Sequence, residues 1–354
     1  MWLYVREFVL AALLAGVPGL AVAADDWHAQ VGEALGKTGA TAPGGIYRVG
    51  LPRTDLKVTL DGVELKPGFA LGGWLAFENM GDRGMVMGDL VLTMDEVTPV
   101  MTKLAAGGIE VTALHNHLLR NQPFTMYMHV QGNGDPVKLA AMLHAALAES
   151  KTPLSTASAA PTPPPQIDLD TAALDQTLGA KGTNSGGVYQ FSIPRAEPIK
   201  DGNMDVPPPM GSANAINFQP TGGGKAAITG DFVLIAKEVN PVLRALREHG
   251  IEVTAIHNHM LDDQPHLYFM HFWANDDAML SSVRIPRTRA TSCARSTPRS
   301  YGARANRPRP RFRRTSRRHR RTQKGRRRRS SKPDCRQRLP SNAGGPPMLL
   351  WRSA

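Results

Sequence analysis

Residues 108–123 read GIEVTALHNHLLRNQP, and residues 250–265 read GIEVTAIHNHMLDDQP. Twelve of these sixteen positions are identical at a constant offset of 142 residues. The match continues outside the two windows, for example at Gly88-Asp89 and Gly230-Asp231. Similarity at one fixed spacing indicates that a single structural unit occurs twice in the chain.

The basic character of the chain comes from its C-terminal end. The whole chain has 42 Lys+Arg and 30 Asp+Glu. Residues 281–354 hold 24 of the basic residues and one of the acidic residues. Residues 1–280 therefore keep 18 basic and 29 acidic residues, a net charge of −11. An acidic body does not favour nucleic acid as a partner, which only a genuine basic tail would attract. Both cysteines, Cys293 and Cys335, also lie in the tail, so the body has no disulfide framework, thiolate metal site or cysteine nucleophile.

The two ends of the chain differ from its body. Residues 1–24 are typical of a secretory signal peptide, with Arg6, an apolar run rich in Ala and Leu, and small residues before Asp25. No second run of spanning length follows, so we expect a periplasmic or secreted protein with no membrane span after cleavage. Residues 281–354 lose all periodicity, which we interpret as a frameshift product. The alternative is a genuine disordered basic tail.

The body is predicted to be an α+β protein of two tandem homologous modules. Residues 25–149 form module 1, residues 167–280 form module 2, and residues 150–166 are a Pro/Ala/Ser/Thr-rich linker. Each module is β-rich at first and then follows a βαββα order, with a proline at the start of its first helix (Pro99, Pro241). The closing helix of module 1 has no expected counterpart in module 2, where periodicity ends near Leu280. Two such modules are expected to pack in a pseudo-two-fold arrangement.

Histidines are concentrated in the repeated segment. Alternate residues of a strand face the same side of a sheet, so His115 and His117 are expected to be neighbours. A hairpin with symmetric pairing about residue 122 places His129 opposite His115 on the same face. The three equivalent residues of module 2 are His257, His259 and His271. Each module is therefore predicted to hold three clustered imidazoles.

Three imidazoles on a rigid sheet face suit Zn²⁺ or another divalent transition metal, with an open position for water. Asp89, on a neighbouring strand, and Glu110 are candidates for a general base. Tyr127, predicted opposite His117, is a candidate for orienting a water or a substrate. Its counterpart in module 2 is Phe269, which suggests module 1 as the active copy.

Two functions of different classes agree with these residues. One is an exported metal-binding protein, in the fullest form a metal-dependent hydrolase. The other is a non-catalytic module that binds a small-molecule or cell-envelope ligand and uses its histidines structurally. Both remain open, because duplication preserves a hydrogen-bonded network as readily as a catalytic site.

The doubled GIEVTALHNHLL…QP…MYMH pattern resembles the uncharacterised LppY/LpqO family of bacterial exported proteins and lipoproteins. The resemblance covers roughly residues 25–280 and implies a two-copy exported protein, without an established activity. Val17 follows Leu14-Ala15-Gly16 where the lipoprotein members need a lipidated cysteine. This departure favours a soluble form over a lipid-anchored one.

Overall fold

The computed structural model describes residues 26–81, 83–155 and 163–284. The predicted signal peptide, the middle of the linker and the tail from residue 285 lie outside the described residues. Among the helices of the described ranges, none has the length and apolar character needed to cross a membrane.

Module 1 has eight strands and four α-helices. The strands are β1 (Ala40–Thr41), β2 (Tyr47–Pro52), β3 (Thr59–Leu60), β4 (Val63–Glu64), β5 (Gly72–Asn79), β6 (Gly84–Thr93), β7 (Glu110–His115) and β8 (Thr125–Asn133). The helices are α1 (Trp27–Leu35), α2 (Pro67–Ala70), α3 (Val97–Ala106) and α4 (Pro136–Leu147). Six strands form an antiparallel sheet in the order β1-β2-β5-β6-β8-β7, and β3 pairs with β4.

Module 2 repeats this plan. Its strands are β9 (Thr183–Ser185), β10 (Val188–Pro194), β11 (Lys200–Asp201), β12 (Met204–Asp205), β13 (Ala213–Gly222), β14 (Lys225–Ile235), β15 (Glu252–His257), β16 (Asp263–Gln264) and β17 (Leu267–Asp277). Its helices are α5 (Thr171–Leu178), α6 (Ala236–Glu248) and α7 (Ala278–Arg284). The six-stranded sheet has the order β9-β10-β13-β14-β17-β15. Each strand occupies the same place in this sheet as its equivalent in the sheet of module 1. The prediction of a β-rich chain with two tandem modules is confirmed.

Four hydrophobic clusters hold the two sheets. One cluster lies entirely within module 1, where β-strand residues pack on α1, α3 and α4, and another lies within module 2. Two further clusters are shared, because Met87 of module 1 packs with Phe269 of module 2, and Tyr127 of module 1 packs with Trp273 of module 2. Each sheet therefore has apolar side chains on both faces, one face covered by its own helices and the other by the partner module.

The structure differs from the prediction at three helices. Helix α3 starts at Val97, so Pro99 is its third residue and not its first. A short closing helix, α7, is present in module 2 where none was expected, because the buried Ala278 continues the module 2 core. Helix α6 starts at Ala236, so Pro241 lies inside it and not at its first position. The Glu238 carboxylate accepts a hydrogen bond from the Ile235 N–H and so satisfies an amide at the start of the helix. The glycine ends are as predicted, since Gly108 and Gly250 both have positive φ.

Candidate metal centre between the modules

The six repeated histidines form one cluster to which both modules contribute. The imidazole rings stack pairwise across the module boundary, with centroid distances of 3.5 Å for His115 and His257 and 3.8 Å for His117 and His271. The third pair, His129 and His259, lies at 3.7 Å. The sequence predicted a separate triad in each module, and tertiary packing instead merges the two triads. We call these six residues the histidine cluster.

The strand register differs from the predicted one. His115 pairs with Tyr127, and Ala113 pairs with His129 after a bulge near residue 112. The hairpin is thus centred on residue 121, between His115 and Tyr127, and the prediction that His129 stands opposite His115 is wrong. The turn sets this pairing on its own side of the bulge, and the bulge shifts the register by one residue only beyond it, at Val111 and Glu110. His129 and His115 are nevertheless close, with ring centroids 5.0 Å apart.

Reciprocal hydrogen bonds hold the two His-Asn-His segments against each other. The Thr112 hydroxyl donates to the His259 carbonyl at 2.5 Å, and the Thr254 hydroxyl donates to the His117 carbonyl at 2.5 Å. The side-chain amide of Asn116 donates to the Thr254 carbonyl, while that of Asn258 donates to the Thr112 carbonyl, each at 3.0 Å. The repeated Thr and Asn residues therefore join the modules and position the backbone on which the histidines sit.

Backbone acceptors orient four of the six imidazoles. The Nδ1 atoms of His115 and His257 lie 3.1 and 3.0 Å from the carbonyl oxygens of the asparagines that follow them. His271 Nδ1 lies 2.9 Å from the Gly230 carbonyl, and His129 is hydrogen-bonded to the Gly88 backbone. A carbonyl oxygen at Nδ1 requires the proton there and leaves the lone pair on Nε2.

The Nε2 atoms of the histidine cluster have no hydrogen-bond partner. All six are buried, and within the described residues none makes a hydrogen bond. Buried polar atoms in folded proteins are nearly always bonded, so six unsatisfied nitrogens in one place require an explanation. Metal ligation by imidazole uses this neutral, Nε2-accepting form.

Two carboxylates border the cluster. Asp89 on β6 has its Oδ2 atom 3.5 Å from His117 Nε2, and Asp231 on β14 has its Oδ2 atom 3.3 Å from His259 Nε2. One oxygen of each aspartate is buried without a partner among the described residues. Desolvation raises the pKa of Asp89 to about 8, an effect that Arg48 partly offsets. Desolvation, together with repulsion from Asp89, raises the pKa of Asp231 well above its usual value.

Burial keeps the imidazoles neutral. Desolvation lowers the pKa of His115 to about 4, and desolvation with repulsion from His115 lowers that of His257 to about 3. The pKa values of the other four cluster members are also lowered, mainly by desolvation and then by their neighbours. The cluster is therefore uncharged near pH 7 and ready to donate nitrogen lone pairs.

Among the described residues, three sets of ligand atoms are close enough to hold an ion, the atoms of each set lying within 4.8 Å of one another. One set is confined to module 1: Asp89, His115, His117 and His129. The other two combine both modules: His115 with His257 and His271, and His129 with His257 and His259. Because the sets share members, a ligand removed from one module alters the coordination available to both.

The two remaining predicted residues, Glu110 and Tyr127, differ in their positions relative to the histidine cluster. Glu110 is exposed at the far end of β7 and lines a different cavity, near Arg83 and Asp201, so the structure does not bring it to the histidines. The Tyr127 ring stacks on His117 at 3.4 Å, but its hydroxyl donates to the Ala70 carbonyl at 2.6 Å. Tyr127 therefore supports the His117 ring, as Phe269 supports His259 at 3.3 Å.

A cavity of about 510 Å³ adjoins the histidine cluster and is lined by both modules. Asp89, His117, Asp231, His259 and His271 form one part of its wall. Sequence reasoning missed two further lining residues, Arg48 and Trp74. The only signal for Arg48 was a difference between the copies, since the equivalent position 142 residues later is Gln190.

The comparisons with known proteins concern family and fold. No curated protein matches the chain. Among solved structures, a trimeric bacterial microcompartment shell protein, PduB, matches at 13% identity over 69% of this chain and 86% of that one, with a TM-score of 0.16 that supports no argument. Residues 29–149 and 172–285 each match a family described as Domain of Unknown Function (DUF1259). The chain belongs to this family and carries two tandem copies of its domain.

Proposed function

We propose that the chain binds a divalent transition metal, Zn²⁺ or a related ion, at a centre shared by its two modules. One observation carries this proposal: six buried Nε2 atoms from both modules converge without any hydrogen-bond partner among the described residues. Imidazole with carboxylate is a donor set that suits Zn²⁺, Ni²⁺, Cu²⁺ and Fe²⁺. The reciprocal Thr and Asn bonds supply the rigid support that such a centre needs.

The structural alternative explains less. A purely structural imidazole network would be expected to satisfy its ring nitrogens with protein partners. Here the Nδ1 atoms of His115, His257 and His271 are satisfied, whereas the Nε2 atoms of the same rings are not. The arrangement prepares one nitrogen of each ring for an additional ligand.

Metal analysis of the untagged full chain tests the proposal. We expect about one or two equivalents of a transition metal per chain, and a marked loss in His115→Ala and in His257→Ala alike, because both residues belong to sets that span the modules. His249→Ala is the matched control, since His249 is exposed and belongs to none of the ligand sets. Absence of metal after reconstitution, with all three variants folded, contradicts a metal centre.

The same variants distinguish a shared centre from two independent triads. Two independent sites predict that His257→Ala loses only the module 2 ion and leaves the Co²⁺ absorption spectrum of module 1 unchanged. A shared centre predicts that either substitution changes the whole visible spectrum of the Co²⁺-substituted protein. Retention of half of the metal with an unaltered spectrum would refute sharing.

We further propose that the centre and the adjoining cavity form the active site of a metal-dependent hydrolase. A divalent ion supplies a bound water of lowered pKa in such a site. Asp89 is the candidate base, because its carboxylate lies 3.5 Å from His117 and borders the cavity. Turnover of chromogenic esters and phosphoesters by the metal-loaded wild type, lost when the metal is removed with a chelator and restored when it is returned, supports this activity. Metal retention without turnover favours a non-catalytic binding module.

Export and symmetry complete the proposal. Residues 1–24 are proposed to direct secretion of a bacterial protein of the LppY/LpqO type, without a lipid anchor. N-terminal sequencing of the mature protein from periplasm or medium tests this, and an intact Met1 would contradict it. The identical strand orders of the two sheets and the reciprocal hydrogen bonds between them favour a pseudo-two-fold relation between βαββα-containing modules.

A further inference from the structure

The cavity beside the histidine cluster contains a partly buried guanidinium. Arg48 lies on β2, and its guanidinium carbon is 4.0 Å from the centroid of the Trp74 ring. Burial lowers the pKa of Arg48 to about 10, with a small opposing effect of Asp89. The side chain remains cationic near pH 7, and the cation–π contact fixes the plane of the guanidinium.

Arg48 lacks the carboxylate partners that the buried arginines Arg53 and Arg195 have. Arg53 forms ion pairs with Asp55 and Glu96, and Arg195 forms the equivalent pairs with Glu197 and Glu238. Among the described residues, no carboxylate oxygen lies within 4.0 Å of an Arg48 nitrogen. A buried charge is ordinarily paired, so a partly buried guanidinium that faces a cavity and contacts no carboxylate is suited to an anionic ligand.

Comparison with module 2 shows that the positive charge of Arg48 is not needed for the contact between the modules. Arg48 Nη1 donates to the Pro209 carbonyl of module 2, and the equivalent Gln190 donates to the Gly68 carbonyl of module 1 at 2.7 Å. A neutral amide therefore suffices for this bond between the modules. Trp74 is also particular to module 1, because the residue that pairs with Asp231, as Trp74 pairs with Asp89, is Ala215.

We propose that Arg48 binds the carboxylate or phosphate group of a small organic anion in this cavity. The planar fork of donors matches either oxyanion, and Trp74 holds it in place. The remainder of the molecule then lies toward His117 and Asp89 on the same cavity wall. The substrate role of this anion rests on the function proposed above, whereas the contact with Arg48 is independent of any metal. The asymmetry between the modules gives the shared centre one defined substrate orientation.

Calorimetric titration of the full chain with malonate and with inorganic phosphate tests the proposal. The informative variant is Arg48→Gln, which places in module 1 the residue that makes the same carbonyl bond in module 2. The matched control is Lys181→Gln, because Lys181 also lines the cavity but is exposed. We expect Arg48→Gln to weaken binding about ten- to a hundredfold, as for loss of a charge-assisted hydrogen bond, and Lys181→Gln to weaken it only about two- to threefold.

The titrations are made on both metal-loaded and metal-free protein. Tighter binding of malonate identifies a carboxylate ligand, and tighter binding of phosphate identifies a phosphate ligand; either supports the proposal. Equal affinities of wild type and folded Arg48→Gln, or no binding of either anion, overturn it. Anion binding by a protein that takes up no metal would refute the metal centre and leave the Arg48 site intact.

Discussion

Acidification is expected to unfold the metal-free protein because of its buried histidines. The folded state holds the pKa of His115 at about 4 and that of His257 at about 3, against about 6.5 in an unfolded chain. Below about pH 6.5 the unfolded chain therefore binds protons that the folded chain does not. The stability from each neutral imidazole is fully present above the unfolded pKa and is lost as the pH falls toward the folded pKa.

The size of the effect follows from this difference. Each such histidine removes about 1.4 kcal/mol of unfolding free energy per pH unit, so His115 and His257 together remove roughly 5 kcal/mol between about pH 6.5 and 4.5. A loss of this order is comparable with the whole stability of a small domain, about 5–15 kcal/mol. The other four histidines have lowered pKa values and act in the same direction.

The buried carboxyl groups act in the opposite direction. The pKa of Asp89 is raised to about 8, so its contribution to stability is present at low pH and is lost as the pH rises toward 8. The pKa of Asp231 is raised as well. Below about pH 6.5 the loss of stability caused by six histidines is larger than the gain from two carboxyl groups. Above about pH 6.5 only the carboxyl groups change the stability with pH. The stability of the metal-free protein should therefore be greatest near neutral pH.

Urea unfolding of the chelator-treated protein between pH 4.5 and 8.5 measures this profile. His115→Leu should flatten the acidic limb, whereas the exposed control His249→Ala should leave it unchanged. An unfolding midpoint that stays constant from pH 6.5 to 4.5 would refute the reasoning. It would mean that the imidazoles are solvated or already charged in the folded state.

Other predictions concern the framework of the site. Arg53→Met should lower the unfolding free energy by about 3–5 kcal/mol, because it leaves a buried carboxylate unpaired. Arg195→Met should lower it by less, because one acidic partner of Arg195 is 44% exposed. Equal losses of the two variants in urea unfolding would contradict this. Thr112→Val should lower the unfolding free energy by about 1–2 kcal/mol and weaken metal binding in chelator competition, since it removes a hydrogen bond between the modules. An unchanged metal affinity would argue against support of the metal centre by this hydrogen bond. Gly230→Ala should lower the thermal midpoint, because its Cβ would lie 2.1 Å from a strand carbonyl, whereas Gly50→Ala, with open space around it, should be tolerated.

Much of the secondary structure was readable because each signal is local. The glycine ends at Gly108 and Gly250 and the apolar runs of β6 and β14 depend on backbone sterics and on the period of the strand. The starts of α3 and α6 differ from the prediction because both helices begin before their prolines, and at α6 the Glu238 carboxylate provides an amide acceptor earlier in the chain. Registers are less readable, since the turn sets the pairing of residues 113–115 and a bulge changes it beyond residue 112.

The sequence by itself determined the duplication and the positions of the repeated histidines, because repetition is a property of the chain alone. Only the tertiary structure decided that His115 meets His257 and that the two triads form one cluster. Contacts between modules depend on which sheet faces are left apolar and on reciprocal bonds such as that from Thr112 to His259, and no local pattern encodes them. The same is true of Arg48, an ordinary strand arginine in the sequence, which becomes distinctive only where packing removes water and supplies no carboxylate.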